Sequence, residues 1–252
     1  MITQRSATFA RIASFLENPL FQFFFFWLFL SLQFVNAVPT ANEENYFTLA
    51  KQFYQPDWMP QVWQFTEFAG TRLLYQYISG FFLSFMSFEA FAFTARLISI
   101  PLLLWPLLKI FRLLGLNFIS QLLVLLIYIF LGQSFFAGGW IIGGFEAKTF
   151  AYVLVLAALY QLLLGKENYA IVFAALGTLF HVLVGGWFTI AMGIFFLVTR
   201  YPFKKLLLSG FIWLAITSPL LIYLIIGIWN SGLSQEEMKL ADFTYTHIRA
   251  PH

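Results

Sequence analysis

The sequence predicts an all-α fold: a polytopic transmembrane helix bundle of about seven spans, with amphipathic helices in the first outer loop. Three observations carry that reading. Of 252 residues, 61% are hydrophobic and only 10% charged, more apolar side chain than a water-soluble core can cover. The apolar residues gather into runs that approach the ~20 residues needed to cross a hydrocarbon layer about 30 Å thick. The runs lack the period-two alternation of an outer-membrane barrel. The chain has no cysteine, which excludes disulfides and thiolate metal or redox sites, and its three histidines are too scattered for a structural zinc site.

Taken in order, residues 1–19 form a polar tail with Arg5 and Arg11, and the run 20–38 is the first span. A secretory signal ending near Asn36-Ala37 is the alternative. It is disfavoured because the run is longer than a signal core and crowded with phenylalanine. Residues 39–89 form the first outer loop. Thr40 and Glu43 have capping-box spacing, and Tyr46, Phe47, Ala50, Phe53 and Tyr54 follow as a helical stripe that Pro56 ends. This predicts a short amphipathic helix opening with two carboxylates, Glu43 and Glu44. Residues 72–89 contain Arg72, Gln76 and Glu89, which favours a surface or re-entrant helix over a crossing. The remaining spans are 90–113, 117–133, 148–164, 168–184, 186–199 and 206–228, and 229–252 is an outer C-terminal segment. Residues 1–252 thus read as one transmembrane domain. Arg96 lies inside the second span and needs a partner, for which Glu89 is the expected one. There is no internal repeat, which weakens an inverted-repeat transporter reading.

Charge sets the orientation. With the N-terminus cytoplasmic, the inner faces hold eight cations (Arg5, Arg11, Lys109, Arg112, Lys166, Arg200, Lys204, Lys205) against five outside. Most acids then fall outside, as do His247, His252 and the span-end His181. The polar residues of interest converge on the outer face.

Residues 136–150 concentrate that polarity. Glu146 and Lys148 stand where a span begins, and an ionisable group inside a bilayer costs roughly 2.5–3.5 kcal/mol on insertion scales, so a retained one has a partner or a task. The glycine pairs at 138–139 and 143–144 let the backbone bend, and Gly139 with Gly143 also fits a helix-packing Gly-x-x-x-Gly. Lys148 can hold a phosphate at a helix start, or pair with Glu146 or snorkel to the interface. Glu43 and Glu44 can complement a helix dipole, or one can act as a base, since a partly desolvated carboxylate has a raised pKa. His181 can be a hydrogen-bonded structural group or can contact a phosphate. His247, Arg249 and His252 would suit an anion, or end a disordered tail. Trp58, Trp63, Trp140 and Trp187 read as an interfacial belt, with stacking on a sugar as the lesser reading. There is no Walker loop, dinucleotide fingerprint or His-Glu-x-x-His, and no nucleic-acid partner is expected.

The order of elements, a first span, an outer loop opening with acids, outer amphipathic helices and then a bundle with short loops, resembles the GT-C class of integral membrane glycosyltransferases. The strings Asn-Glu-Glu-Asn-Tyr (42–46), Gly-Gly-Phe-Glu-Ala-Lys-Thr-Phe-Ala-Tyr (143–152), His-Val-Leu-Val-Gly-Gly-Trp (181–187) and Arg-Ala-Pro-His (249–252) resemble an uncharacterised bacterial polytopic family related to that class. The resemblance implies a multi-pass protein of the bacterial inner (plasma) membrane that takes sugar from a polyprenyl-phosphate carrier on the non-cytoplasmic face. It implies Glu43 or Glu44 as base or ligand of a divalent metal, and Lys148, His181 and Arg249 at the lipid phosphate. The class usually has an aspartate where this chain has two glutamates. The class also commonly has more spans and a further outer domain, so the chain is expected to be the N-terminal part of a longer protein. A transporter or flippase of a lipid-linked or anionic solute, and a non-catalytic subunit of a membrane complex, are the competing expectations.

Overall fold

The computed structural model describes residues 11–40, 42–61, 72–131, 141–229 and 234–244. All regular structure among them is helical, as expected. The ten helices named here are α1 (Pro19–Phe34), α2 (Asn42–Tyr54), α3 (Leu73–Leu83), α4 (Phe88–Leu113), α5 (Phe118–Phe130), α6 (Ala147–Leu163), α7 (Glu167–Phe180), α8 (Val182–Val198), α9 (Phe203–Trp229) and α10 (Gln235–Phe243). The chain divides into two compact units, 1–217 and 218–252, with the boundary inside α9.

Local chemistry sets the helix starts. The Asn18 side chain accepts from Leu20 N and Phe21 N at 2.9 and 3.2 Å, and Pro19 stands in the first turn of α1. Ser87 accepts from Ala90 N to start α4, and Asn117 accepts from Ser120 N to start α5. In the second unit, Ser234 and Glu237 form a reciprocal capping box at the head of α10. The predicted helix at the start of the outer loop is present as α2, and its stripe is the buried face, with Phe47 and Ala50 fully covered.

The first unit has three apolar clusters. Phe26, Leu30, Leu104, Leu108, Phe118 and Leu125 join α1, α4 and α5. Phe47, Tyr75, Leu83, Phe91 and Phe145 join α2, α3, the start of α4 and the turn before α6. Ala158, Ala170, Ile171, Ala174, Met192 and Phe196 join α6, α7 and α8. The last cluster is built on small residues that let helices approach closely. A Cβ at Gly185 would lie 2.2 Å from Thr178 N, so α8 folds back onto α7 through backbone contact.

Among the described residues two helices, α4 and the stretch Phe203–Gly227 of α9, are long and apolar enough to cross a membrane. Six others, α1, α3, α5, α6, α7 and α8, are apolar but span only 10–17 residues. The structure shortens several expected segments for visible reasons. The run 20–38 is helical only to Phe34, because Asn36 and Val38 are drawn into contacts with Arg96. The run 168–184 breaks at His181, whose extended backbone separates α7 from α8. Within 72–89, α3 has 11 residues, a rise of about 16 Å, too little to cross.

Two expectations are corrected. The partner of Arg96 is Glu43, not Glu89: the latter sits exposed in the first turn of α4. Gly139 lies outside the described residues, and Gly143 is not helical. It lies in a turn at φ +118°, with the Phe34 ring 3.1 Å from where a Cβ would stand.

Candidate functional site

The site lies where the start of α2, the N-terminus of α3, the turn 141–146 and the α7–α8 break meet. A buried ion pair fixes this end of the fold. Glu43 is completely covered and Arg96 is 1% exposed. Arg96 Nε donates to Glu43 Oε1 at 3.1 Å, and a second guanidinium nitrogen reaches Glu43 Oε2. The other guanidinium donors go to the Asn36 carbonyl at 3.0 Å, the Asn36 side chain, the Val38 carbonyl at 3.0 Å and Thr40 Oγ1 at 3.2 Å. Glu43 also accepts from Thr40 N at 2.9 Å, Thr40 Oγ1 at 3.1 Å and Phe145 N. All the donors of Arg96 are used, and both carboxylate oxygens of Glu43 are occupied. Removing either partner would strand a buried charge, so the pair acts as a clasp tying the 36–43 segment and Phe145 to α4.

The capping-box spacing of Thr40 and Glu43 therefore has a partial counterpart. Glu43 reaches back to Thr40 N as expected, but the Thr40 hydroxyl donates to the carboxylate rather than capping the helix. Glu44, the other candidate of the pair, is exposed.

Tyr75 adds a second tie, donating from its hydroxyl to the Phe145 carbonyl at 3.1 Å. With Phe145 held on both sides, the next residue is placed firmly. Glu146 is 3% exposed, and its Oε1 has no hydrogen-bond partner among the described residues. Its Oε2 lies 3.4 Å from Lys148 Nζ. Burial pushes the Glu146 carboxyl above the usual carboxylate range, with Lys148, the Asn42 side-chain amide and Arg72 offsetting part of the effect. Thr149 Oγ1 accepts from Glu146 N at 3.2 Å and orders the first turn of α6.

Arg72 and Lys148 lie close enough to act electrostatically on both Glu146 and His181. Arg72 stacks on Tyr46, its guanidinium carbon 4.3 Å from the ring centroid. His181 Nδ1 accepts from Val184 N at 3.3 Å, capping α8, so a neutral ring carries its proton on Nε2. Three sequence candidates, Glu146, Lys148 and His181, are thus brought together. Two residues that sequence reasoning did not select, Arg72 and Asn42, join them. Arg72 was visible as a lone cation before an apolar helix, but its separation of 74 and 76 positions from Glu146 and Lys148 hid the association. His247, Arg249 and His252 lie outside the described residues, as do Trp63 and Trp140; Trp187 is 66% exposed.

Chemically, the cluster offers two fixed cations, an imidazole donor and one buried carboxylate oxygen with open hydrogen-bonding capacity. That set suits an anion placed beside a group that must lose a proton. Among the described residues no group of three or more His, Asp or Glu side chains converges as a metal site. Comparison with known proteins adds no relative: no family model, no curated protein and no solved structure matches the chain.

Proposed function

We propose that the chain is a polytopic protein of the bacterial inner membrane, N-terminus cytoplasmic, that works as a GT-C-like glycosyltransferase on the outer face. Its donor is a sugar on a polyprenyl phosphate. Arg72, Lys148 and the His181 Nε2–H bind the phosphate, and Glu146 is the base. The observation that carries the reading is the buried Glu146 carboxylate with an open oxygen, placed among those cations. Supporting it, the start of α6 and the α7–α8 break stand at the end of the bundle opposite the inner-face cations Arg112 and Lys166.

In this reading the base role passes from the first-loop acids to Glu146. Glu43 has both oxygens engaged by Arg96, Thr40 and Phe145, and it serves as a positioning residue. Glu146 takes the proton of the acceptor hydroxyl, the acceptor oxygen bonds to the anomeric carbon, and the bond from that carbon to the phosphate oxygen breaks. The phosphate leaves with its added charge held by Arg72 and Lys148, groups already oriented before reaction.

The test is thermal stability of the detergent-purified protein with polyprenyl phosphate. A ligand that binds only the folded state stabilises it by about 2.7 kcal/mol at a hundredfold excess over Kd. Stabilisation is expected in the wild type and reduced in Lys148→Ala and Arg72→Ala. Glu146→Gln should keep the stabilisation and lose sugar transfer. Binding with movement across proteoliposomes and no covalent product would replace the transferase with a flippase. Absence of any stabilisation would favour a non-catalytic subunit.

A further inference from the structure

The turn that closes α8 departs from its counterparts. Three helices of the first unit end in the same motif, in which two N–H groups fold back on the last helical turn. After α4, Gly115 N and Leu116 N donate to Arg112 O and Phe111 O, each at 2.9 Å. After α6, Gly165 N and Lys166 N donate to Leu162 O and Gln161 O at 3.0 and 2.9 Å. After α8, Arg200 N and Tyr201 N donate to Leu197 O and Phe196 O at 3.1 and 2.8 Å. The residue at the bend must take a left-handed backbone. Gly115 and Gly165 do so at φ +77° and +68°, and nothing stands within 4 Å of where a Cβ would be, so glycine serves there for its angle alone. After α8 the same place holds Arg200 at φ +54°, the one non-glycine residue with positive φ among the described residues. A left-handed arginine is strained, and strain of that kind clusters where a side chain has a task.

The surroundings point to that task. Leu162 and Tyr201 pack on one apolar cluster, and Glu167 acts electrostatically on Tyr201, so the α6–α7 and α8–α9 turns share one end of the bundle. Together the two turns expose Lys166, Arg200, Lys204 and Lys205 against a single half-buried acid, Glu167. None of the four cations stands in an ion pair among the described residues. Lys205 rests over Tyr201, its Nζ 5.7 Å from the ring centroid. Beside the cations, Phe203, Leu207, Phe211 and Leu214 form an exposed apolar stripe along one face of α9. Exposed cations at the head of an exposed apolar stripe match a molecule with an anionic head and hydrocarbon chains.

We propose that Arg200, with Lys166, Lys204 and Lys205, binds the headgroup phosphate of an anionic glycerophospholipid whose acyl chains run along the exposed stripe of α9. A guanidinium holds two phosphate oxygens at once, which a lysine does not, and this accounts for arginine at a bend that favours glycine. Four cations against one acid select an anionic lipid over a zwitterionic one, whose choline they would repel. The inference rests on the membrane reading of the chain and not on the transferase. These turns lie at the ends of α6, α7 and α8 away from Glu146 and His181.

The test is photo-crosslinking of the whole chain in vesicles of equal parts phosphatidylcholine and phosphatidylglycerol, with a diazirine near the glycerol of one lipid or the other. Phosphatidylglycerol adducts on residues 199–205 should exceed phosphatidylcholine adducts about tenfold, and Arg200→Gly should cut the excess to about twofold, one cation beside an anionic lipid being worth about a factor of five. In detergent without added lipid the same variant should melt no lower than wild type, since glycine relieves the left-handed bend. Lys204→Gln combined with Lys205→Gln should also reduce the excess, whereas Lys148→Ala should leave it intact. A diazirine deep in the acyl chain of phosphatidylcholine should label Phe211. No label on Phe211 would overturn the membrane reading and this proposal with it. Phe211 labelled, but the turn labelled equally by both lipids, would overturn the headgroup site alone. An Arg200→Gly protein that keeps the full excess would overturn it too, and one that melts lower than wild type would make Arg200 a structural residue instead. So would displacement of the phosphatidylglycerol label by inorganic phosphate but not by chloride at equal ionic strength, which would assign the turns to a free anion.

Discussion

Neutralising Glu43 should cost a large part of the stability of this fold, although the side chain stands in the first loop where a catalytic acid was expected. Glu43→Gln keeps shape and some hydrogen bonds but leaves the Arg96 guanidinium, 1% exposed, without its counter-charge. Truncating one partner of a buried pair costs about 3–5 kcal/mol, whereas an exposed pair contributes about 0–1. Gln also replaces one acceptor oxygen with a donor, facing either the Phe145 N–H or the Thr40 N–H, and a buried unsatisfied donor adds about 1–3 kcal/mol. Equilibrium unfolding in mixed micelles would measure the loss. A double-mutant cycle with Arg96→Met separates the pair from its surroundings: the double variant should be less destabilised than the sum of the singles by about 3 kcal/mol. Because Phe145 precedes Glu146, phosphate binding should weaken as well. A Glu43→Gln protein within about 1 kcal/mol of wild type, or strict additivity in the cycle, would refute the clasp.

Glu146→Gln should behave oppositely. The folded carboxyl is raised above its ordinary value of 4.5 by burial, so the folded state binds that proton more tightly than the unfolded state. Its ionisation therefore costs nothing below pH 4.5 and costs its full amount above the folded pKa. The variant should match wild type in acid and melt higher at neutral pH, and equal melting at both would count against the buried, strained carboxylate. Gly185→Ala should destabilise by about 1–3 kcal/mol, since the new Cβ meets the backbone of α7 at 2.2 Å, while Gly186→Ala, with nothing within 4 Å, should be neutral or mildly stabilising. Paired thermal melts decide this. Tyr75→Phe should cost about 1–3 kcal/mol by leaving the Phe145 carbonyl without its buried donor, a loss readable by unfolding and by faster amide exchange in 141–146.

Much of the secondary structure was legible because it is local. The stripe of Phe47 and Ala50, the stop at Pro56 and the apolar runs each follow from spacing along the chain. Glu146 and Lys148 were legible as a pair because two charges in an apolar run need an explanation two positions apart. Arg96 announced itself as a buried charge, yet its partner was misread. Glu89 is near in sequence, whereas Glu43 arrives from 53 positions away. The break between the spans 168–184 and 186–199 was legible, but its place at His181 was not, since the turn depends on Gly185 meeting the α7 backbone.

The sequence by itself determined that the chain is helical and apolar, where helices start, and which charges are out of place. Composition, capping residues and side-chain period act within one or two turns, so a single strand of text contains them. Only the tertiary structure decided that Glu43 closes on Arg96 and that Arg72 joins Lys148 and His181. Those outcomes depend on which helices pack together. A buried charge or hydroxyl states that it needs a partner, but the partner is chosen by packing among distant segments, where apolar contact carries no label of its own.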